Sequence, residues 1–408
     1  MGKTGSSGFV AIELFVLLLV VASAVALLTR RSALPYSVAL VLAGLAISVL
    51  FPDLQIDFGP DLILAVLLPG LVFEAAYHID LGELRRSFGI VAVLAAPGVL
   101  VTAGVVAVIV SATTSLDLSL AFVLGAMISA TDPVAVVALF KRLGAPTRLA
   151  TAVEAESLLN DGTGIVLFTI ALRAVGEPVT LGEGAVSFIA IVAISAVIGL
   201  VAGLVAYRLM HAADDHLVEV TISVAAAYGT YLLADQLHQS GIIATVVVGL
   251  VLGNERAPRA LSERTREALD IVWEFVAFLL TALTFLLMGL VISPDQLLRA
   301  APVIVAGFVA ITLARLLVVY GVIGGGERLL PGANPLPLAY LHVMFWAGLR
   351  GAVAIALALA LPDTLPDRGL LADSVYGIVL VTLLVQGTTA ALVVRRAGVP
   401  MRSADAGA

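Results

Sequence analysis

The 408-residue chain contains no cysteine, and only 12% of its residues are charged. The first absence removes disulfides, thiolate metal sites and a cysteine nucleophile. The second removes the ordinary soluble domain, in which roughly a quarter of residues carry charge. What is present instead is apolar: 61% of the residues, with a mean hydropathy of +1.12. One water-soluble core cannot enclose that much apolar surface. The apolar runs are helix-length rather than alternating strands of about 10 residues, which excludes a membrane β-barrel. There is no long basic run, and the net charge of -7 argues against nucleic acid as a partner. The sequence therefore predicts an all-α polytopic membrane protein with membrane lipid around it.

Thirteen apolar blocks read as spans: 8–28, 34–51, 61–79, 88–110, 117–140, 147–172, 182–207, 218–235, 240–253, 271–292, 300–321, 337–361 and 373–394. Block 8–28 contains Glu13 and has a weak basic flank, so it reads as a retained span rather than a cleaved signal. The short leader and tail leave one membrane domain over 1–408. Basic residues test the count. One set of alternate connections holds 16 of the 22 lysines and arginines, the other set holds 4, and Arg315 and Arg350 lie within spans. This places the N-terminus outside and the C-terminus in the cytoplasm of a cell-membrane protein. Segment 255–270 reads as a surface helix or as a linker between halves, loops 52–60 and 362–372 as outer connections, and the glycine- and proline-rich loop 322–336 as a flexible one.

Two spans are interrupted. The fifth contains Thr131-Asp132-Pro133 and the twelfth Gly348-Leu349-Arg350-Gly351. Proline breaks the helical ladder and frees backbone carbonyls beside an anionic side chain. Interrupted spans at an odd offset run in opposite directions, the mark of an inverted repeat with a binding site where they cross.

Ionisable groups inside spans are expensive and so point to function. Asp161 is the central candidate. It can hold one proton or one cation but not both, and either ligand removes its charge, which lowers the barrier to moving it. Its bland reading is a cap or an arginine partner. Asp132 reads equally as a cap on the resumed half-helix and as an indirect cation ligand. Thr131 and Ser157 can offer a carbonyl and a hydroxyl, or simply make ordinary intrahelical bonds. Asn160 can cross-link the broken helix without adding a titrating group. Glu156 lies on another face, with Arg315 or Arg350 as its counter-charge. Arg350 offsets a half-helix end or an empty cation site. Glu74 is a fourth ligand or a polar lining residue. His342 reads as a hydrogen-bonded packing residue.

The segments SATDPVAV (129–136), EAESLLNDGTGIV (154–166), LPGLVFEAAY (68–77) and GLRGAVAIALAL (348–359) together resemble the monovalent cation:proton antiporter-1 family, the branch of NhaP-type sodium/proton antiporters. The resemblance covers essentially all thirteen spans. It implies a homodimer with a dimerisation part (1–80 and 182–292) and a mobile core (88–172 and 300–394). It implies crossed, discontinuous spans five and twelve, and Asp161 as the carrier of ion and proton. It places Thr131, Asp132, Ser157 and Glu74 at the cation, with Asn160, Pro133 and Arg350 in support and Glu156 and Arg315 as a structural ion pair. Asparagine at 160 resembles the electroneutral members. The expected activity is exchange of one sodium or lithium ion for one proton, with no cofactor and no enzyme chemistry.

Two rival readings remain at this level. The same ligand types serve a potassium/proton antiporter, because ion size is set by geometry. An intramembrane aspartyl protease could use Asp132 and Asp161, although Asn160, Pro133 and the buried arginines then have no role.

Overall fold

The computed structural model describes residues 4–30, 34–51, 59–177, 179–213, 215–253, 263–325 and 336–399. Every apolar block has its helical counterpart. These are α1 (Thr4–Thr29), α2 (Tyr36–Leu50), α3 (Leu62–His78), α4 (Leu81–Thr113), the two halves of α5 (Leu118–Met127 and Val134–Leu143), α6 (Thr147–Gly176) and α7 (Leu181–Ala213). They continue with α8 (His216–Gln236), α9 (Gly241–Leu252), α10 (Glu263–Val291), α11 (Pro294–Ile323), the two halves of α12 (Leu338–Trp346 and Ala352–Leu359) and α13 (Arg368–Arg396). Seven of the described helices are long and apolar enough to cross a bilayer unaided. The others are shorter or interrupted.

Local chemistry sets the ends. Asp80, Asp117, Asp215 and Ser240 each accept from backbone N–H groups at the start of α4, α5, α8 and α9, satisfying donors that a helix start leaves free. The first half of α5 ends at Met127, and its second half closes at Gly144, whose φ of 66° gives the left-handed cap. Helix α9 has only 12 residues, about 18 Å of rise, so it is short for a hydrocarbon core of about 30 Å. It is packed on α7, α3, α8 and α6 and buried along most of its length.

Two boundaries differ from the sequence reading. Helix α4 starts at Leu81, because Asp80 caps Gly82 and Glu83, so Arg85 and Arg86 lie on a helix rather than in a loop. It is also divided at Ala96-Pro97, a proline interruption the hydropathy pattern does not register. Helix α10 starts at Glu263, so 263–270 continues into the tenth span instead of forming a separate surface helix. Residues 254–262, 52–58 and 326–335 lie outside the described residues, as do Lys3, Arg31 and Arg402.

The helices pack in two groups. In one, α2 lies on α10, α9 on α7 and α3, and α8 on α7 and α9. In the other, α4 lies on the first half of α5, on α6 and on α11, while α13 lies on α11 and on both halves of α12. Without water between them, apolar helices gain by close approach of small residues. Gly44 of α2 and Gly289 of α10 show this: a Cβ on either would run into the other helix's backbone. In the same group the Trp273 ring lies tilted against Phe73, with centroids 4.3 Å apart, and donates its indole N–H to the Ser223 hydroxyl at 3.0 Å.

Candidate functional site

Pro133 has no N–H to continue the ladder, and α5 leaves helical geometry between Met127 and Val134. Helix α12 does the same between Trp346 and Ala352. The two gaps meet, with the Asp132 N–H donating to the Leu349 carbonyl at 2.8 Å. Four half-helix ends therefore converge inside the bundle, two with free N–H groups and two with free carbonyls.

Charged side chains answer each end. The Asp132 carboxylate accepts from the Val134 N–H at 3.0 Å and from the Ala352 N–H, so one anion caps the second halves of both α5 and α12. Gly351 lets this happen, since a Cβ there would collide with that carboxylate. At the opposite ends the charges are positive. Arg350 donates to the Ser129 and Ala130 carbonyls at 2.7 and 3.0 Å, closing the first half of α5. Arg315 donates to the Met344 carbonyl from Nη2 at 2.7 Å and from Nε at 3.2 Å, closing the first half of α12. Its other face forms a two-pronged pair with Glu156, both residues being buried. Such a pair fixes geometry; its net contribution to stability is small, but removing one partner is costly.

A neutral clasp joins α6 to the break. The Thr131 N–H donates to Asn160 Oδ1 at 3.1 Å, and Asn160 Nδ2 donates to Thr131 Oγ1 at 2.8 Å. The Ser157 hydroxyl donates to the Thr131 carbonyl at 2.5 Å. One turn further on, the Thr163 hydroxyl donates to the Ala95 carbonyl at the interruption of α4.

Asp161 is different. Its carboxylate has no hydrogen-bond or ion-pair partner among the described residues, and it lines a cavity of about 490 Å³ between α3, α5, α6, α10 and the second half of α12. Thr131, Asp132, Pro133, Ser157 and Glu74 line the same cavity. Its exposed lining residues include His78 at the end of α3 and Glu274 in the first half of α10. Its mouth carries Glu154 and Glu274, and His78, which sits 3.2 Å from Glu74 Oε1 and 3.6 Å from Asp270 Oδ1. A separate polar crevice holds Asn160, Glu156, Arg315 and Arg350.

The structure thus brings Asp161, Asp132, Thr131, Ser157 and Glu74 to one cavity and gathers Asn160, Arg350, Glu156 and Arg315 behind it. His342 lies elsewhere, exposed and 2.6 Å from the Tyr320 hydroxyl. Sequence reasoning did not single out Glu274 or Asp270. Their four-residue spacing on one face of α10 was the available signal. Nor did it single out Thr163, whose bond reaches across 68 residues. Among the described residues no three His, Asp or Glu side chains gather as a metal cluster. The carboxylate, hydroxyl and carbonyl oxygens near Asp161 are hard ligands of the kind a small cation takes.

Comparison with known proteins agrees with this architecture. A family model described as "Sodium/hydrogen exchanger, transmembrane" matches residues 16–396. The low-affinity Na⁺/H⁺ antiporter NhaS1 of Synechocystis sp. is 36% identical over 396 residues, covering 94% of this chain and 74% of that protein. The Na⁺/H⁺ antiporter NhaP of Pseudomonas aeruginosa is 36% identical over 362 residues, covering 86% and 85%. The solved sodium proton antiporter MjNhaP1 of Methanocaldococcus jannaschii superposes with a TM-score of 0.77 at 20% identity, over 96% of this chain and 99% of that one.

Proposed function

The chain belongs to the sodium/hydrogen exchanger family, and on that premise we propose that it is a secondary active transporter exchanging Na⁺ or Li⁺ for H⁺ at Asp161. One observation carries the reading: among the described residues every other charge at the crossing is bonded within the protein, and Asp161 is left for a ligand. Glu156 is held by Arg315, Arg350 by two carbonyls and Asp132 by two N–H groups. A carboxylate in an apolar surround favours any ligand that neutralises it. A proton and a cation then compete for one charge, and that competition is antiport.

The Thr131 and Ser157 oxygens and Glu74 supply further cation ligands along the cavity, and Asp132 acts on the cation through the half-helix starts or through water. Asn160, uncharged and clasped to Thr131, adds no second titrating group, which supports one-for-one, electroneutral exchange. The bias of basic residues toward one set of alternate connections supports a cytoplasmic cavity mouth and an N-terminus outside. The group of α4, α5, α6, α11, α12 and α13 is the mobile core. It moves against the other seven helices, through which two copies pair as a homodimer. Asp161 crosses with a cation or a proton bound and stays when bare.

The test is Na⁺-driven proton flux in proteoliposomes. Asp161→Asn abolishes it while leaving the fold intact, and unchanged flux overturns the assignment. Equal flux with K⁺ replaces the sodium reading by a potassium one. Strong dependence of the rate on imposed voltage rejects one-for-one exchange.

A further inference from the structure

A second cavity, of about 450 Å³, lies on the far side of the half-helix Val134–Leu143, between α1, α2, α5 and α13. No part of the exchange chemistry uses it. Its wall contains Thr29, the last residue of α1, Arg30 just after it, and the first residues of α2, Tyr36 and Ser37. Three features give it an appetite for an anion. Arg30 supplies a guanidinium. Helix α2 starts at Tyr36 after Pro35, which offers no capping side chain, so its first N–H groups present the positive end of the helix dipole. Ser37 is 2% exposed, and its hydroxyl has no hydrogen-bond partner, which inside a protein costs roughly 1–3 kcal/mol unless a ligand or water satisfies it. On α13, Thr388 and Ala391 line the cavity. Arg395 follows one turn beyond Ala391 along α13.

We propose that this cavity seats the phosphate headgroup of an anionic phospholipid. The lipid source follows from position. Leu27 and Leu28, beside Arg30, are strongly exposed apolar residues, a surface that acyl chains can cover in a membrane. The end of α1 and the end of α13 also lie at the basic end of the bundle, where anionic lipid gathers and arginine pockets between helices recognise headgroups. Val134 and Ala138 line both this cavity and the one holding Asp161. A bound headgroup therefore rests against the half-helix that Asp132 caps, and it bridges α1 and α2 to α5 and α13. Its occupancy regulates how freely those two parts separate. The proposal rests on the membrane reading, not on the exchange reaction, and binding alone tests it.

The experiment uses the full chain in nanodiscs of phosphatidylcholine, with or without phosphatidylglycerol, read by native mass spectrometry and by melting temperature. The wild type should retain phosphatidylglycerol through delipidation and melt higher with it. Arg30→Gln should lower retention about fivefold, with Ser37→Ala lowering it less. Arg173→Gln, which removes an exposed arginine paired with Glu177 at the other end, should leave retention unchanged. All variants should melt like the wild type in phosphatidylcholine alone; if Arg30→Gln does not, Ser37→Ala decides. Equal retention in the wild type and the cavity variants overturns the proposal, as does an equal loss in Arg173→Gln. Inorganic phosphate that raises the melting temperature as much as phosphatidylglycerol assigns the site to a free anion and overturns the lipid.

Discussion

Asn160 and Thr131 hold each other in both directions: the Thr131 N–H donates to Asn160 Oδ1, and the Asn160 amide donates to the Thr131 hydroxyl. This reciprocity fixes which way the amide faces and locks the unwound part of α5 to α6 next to Asp161. Both residues are buried. Asn160→Ala therefore leaves a backbone N–H and a hydroxyl unpaired in an apolar interior. The expected loss is about 1–3 kcal/mol, read as a lower melting temperature in detergent. Exchange should fall as well, because the Thr131 carbonyl loses its placement.

Asp132 is expected to matter more for architecture than for carrying charge. Asp132→Ala strips the caps from two half-helices, each worth about 1 kcal/mol, while Asp132→Asn keeps an acceptor oxygen for one of them. The order of melting temperatures should be wild type, Asp132→Asn, Asp132→Ala. Gly351→Ala probes the same contact from the other side. Its Cβ would collide with the carboxylate, and overpacking of this kind costs roughly 1–3 kcal/mol. An unaltered melting temperature in Gly351→Ala would show that the close approach is not needed.

Much of this site was legible because its causes are local. Pro133 announces a broken span by its missing N–H, and so does the glycine-flanked Arg350. Glu156 inside an apolar run demands a counter-charge, and only two arginines lie within spans. The pieces that escaped depend on approach between distant segments. Asp132 reaches Ala352 across the crossing, and His78 reaches Asp270 from α3 to α10. Hydropathy periodicity records which face of a helix is apolar, not which helix lies against it. The start of α4 precedes the apolar block 88–110 for a related reason. The Asp80 cap begins α4 before its apolar stretch does, and a hydropathy window sees only the latter.

Outside the membrane the expected pH response has a definite sign. Asp215, in the connection between α7 and α8, accepts from the Val218 and Leu217 N–H groups, and these bonds hold its carboxyl below the usual carboxylate range. A depressed value means the ionised form is favoured by the fold. The cap is then fully present above the unfolded-state value of about 3.9 and is lost as pH falls through the lower folded one. Hydrogen exchange at the first turn of α8 should stay slow down to mildly acidic pH and speed up only below that window. Asp215→Ala should show the fast exchange at neutral pH.

The buried pair of Glu156 and Arg315 makes the strongest stability prediction, because its two halves are unequal. Removing Glu156 as Glu156→Leu leaves a guanidinium among apolar helices with only the Met344 carbonyl to satisfy it. Removing Arg315 as Arg315→Met strands a carboxylate and also uncaps the first half of α12. Each single change should cost about 3–5 kcal/mol. The double change leaves no charge unpaired, so it should recover most of the melting temperature. It should not recover exchange, since the Met344 end of α12 then has no donor to hold the crossing beside Asp161. A double variant as unstable as either single one would mean the pair is not acting as a unit. A double variant with full transport would mean that its geometry is not what positions the site.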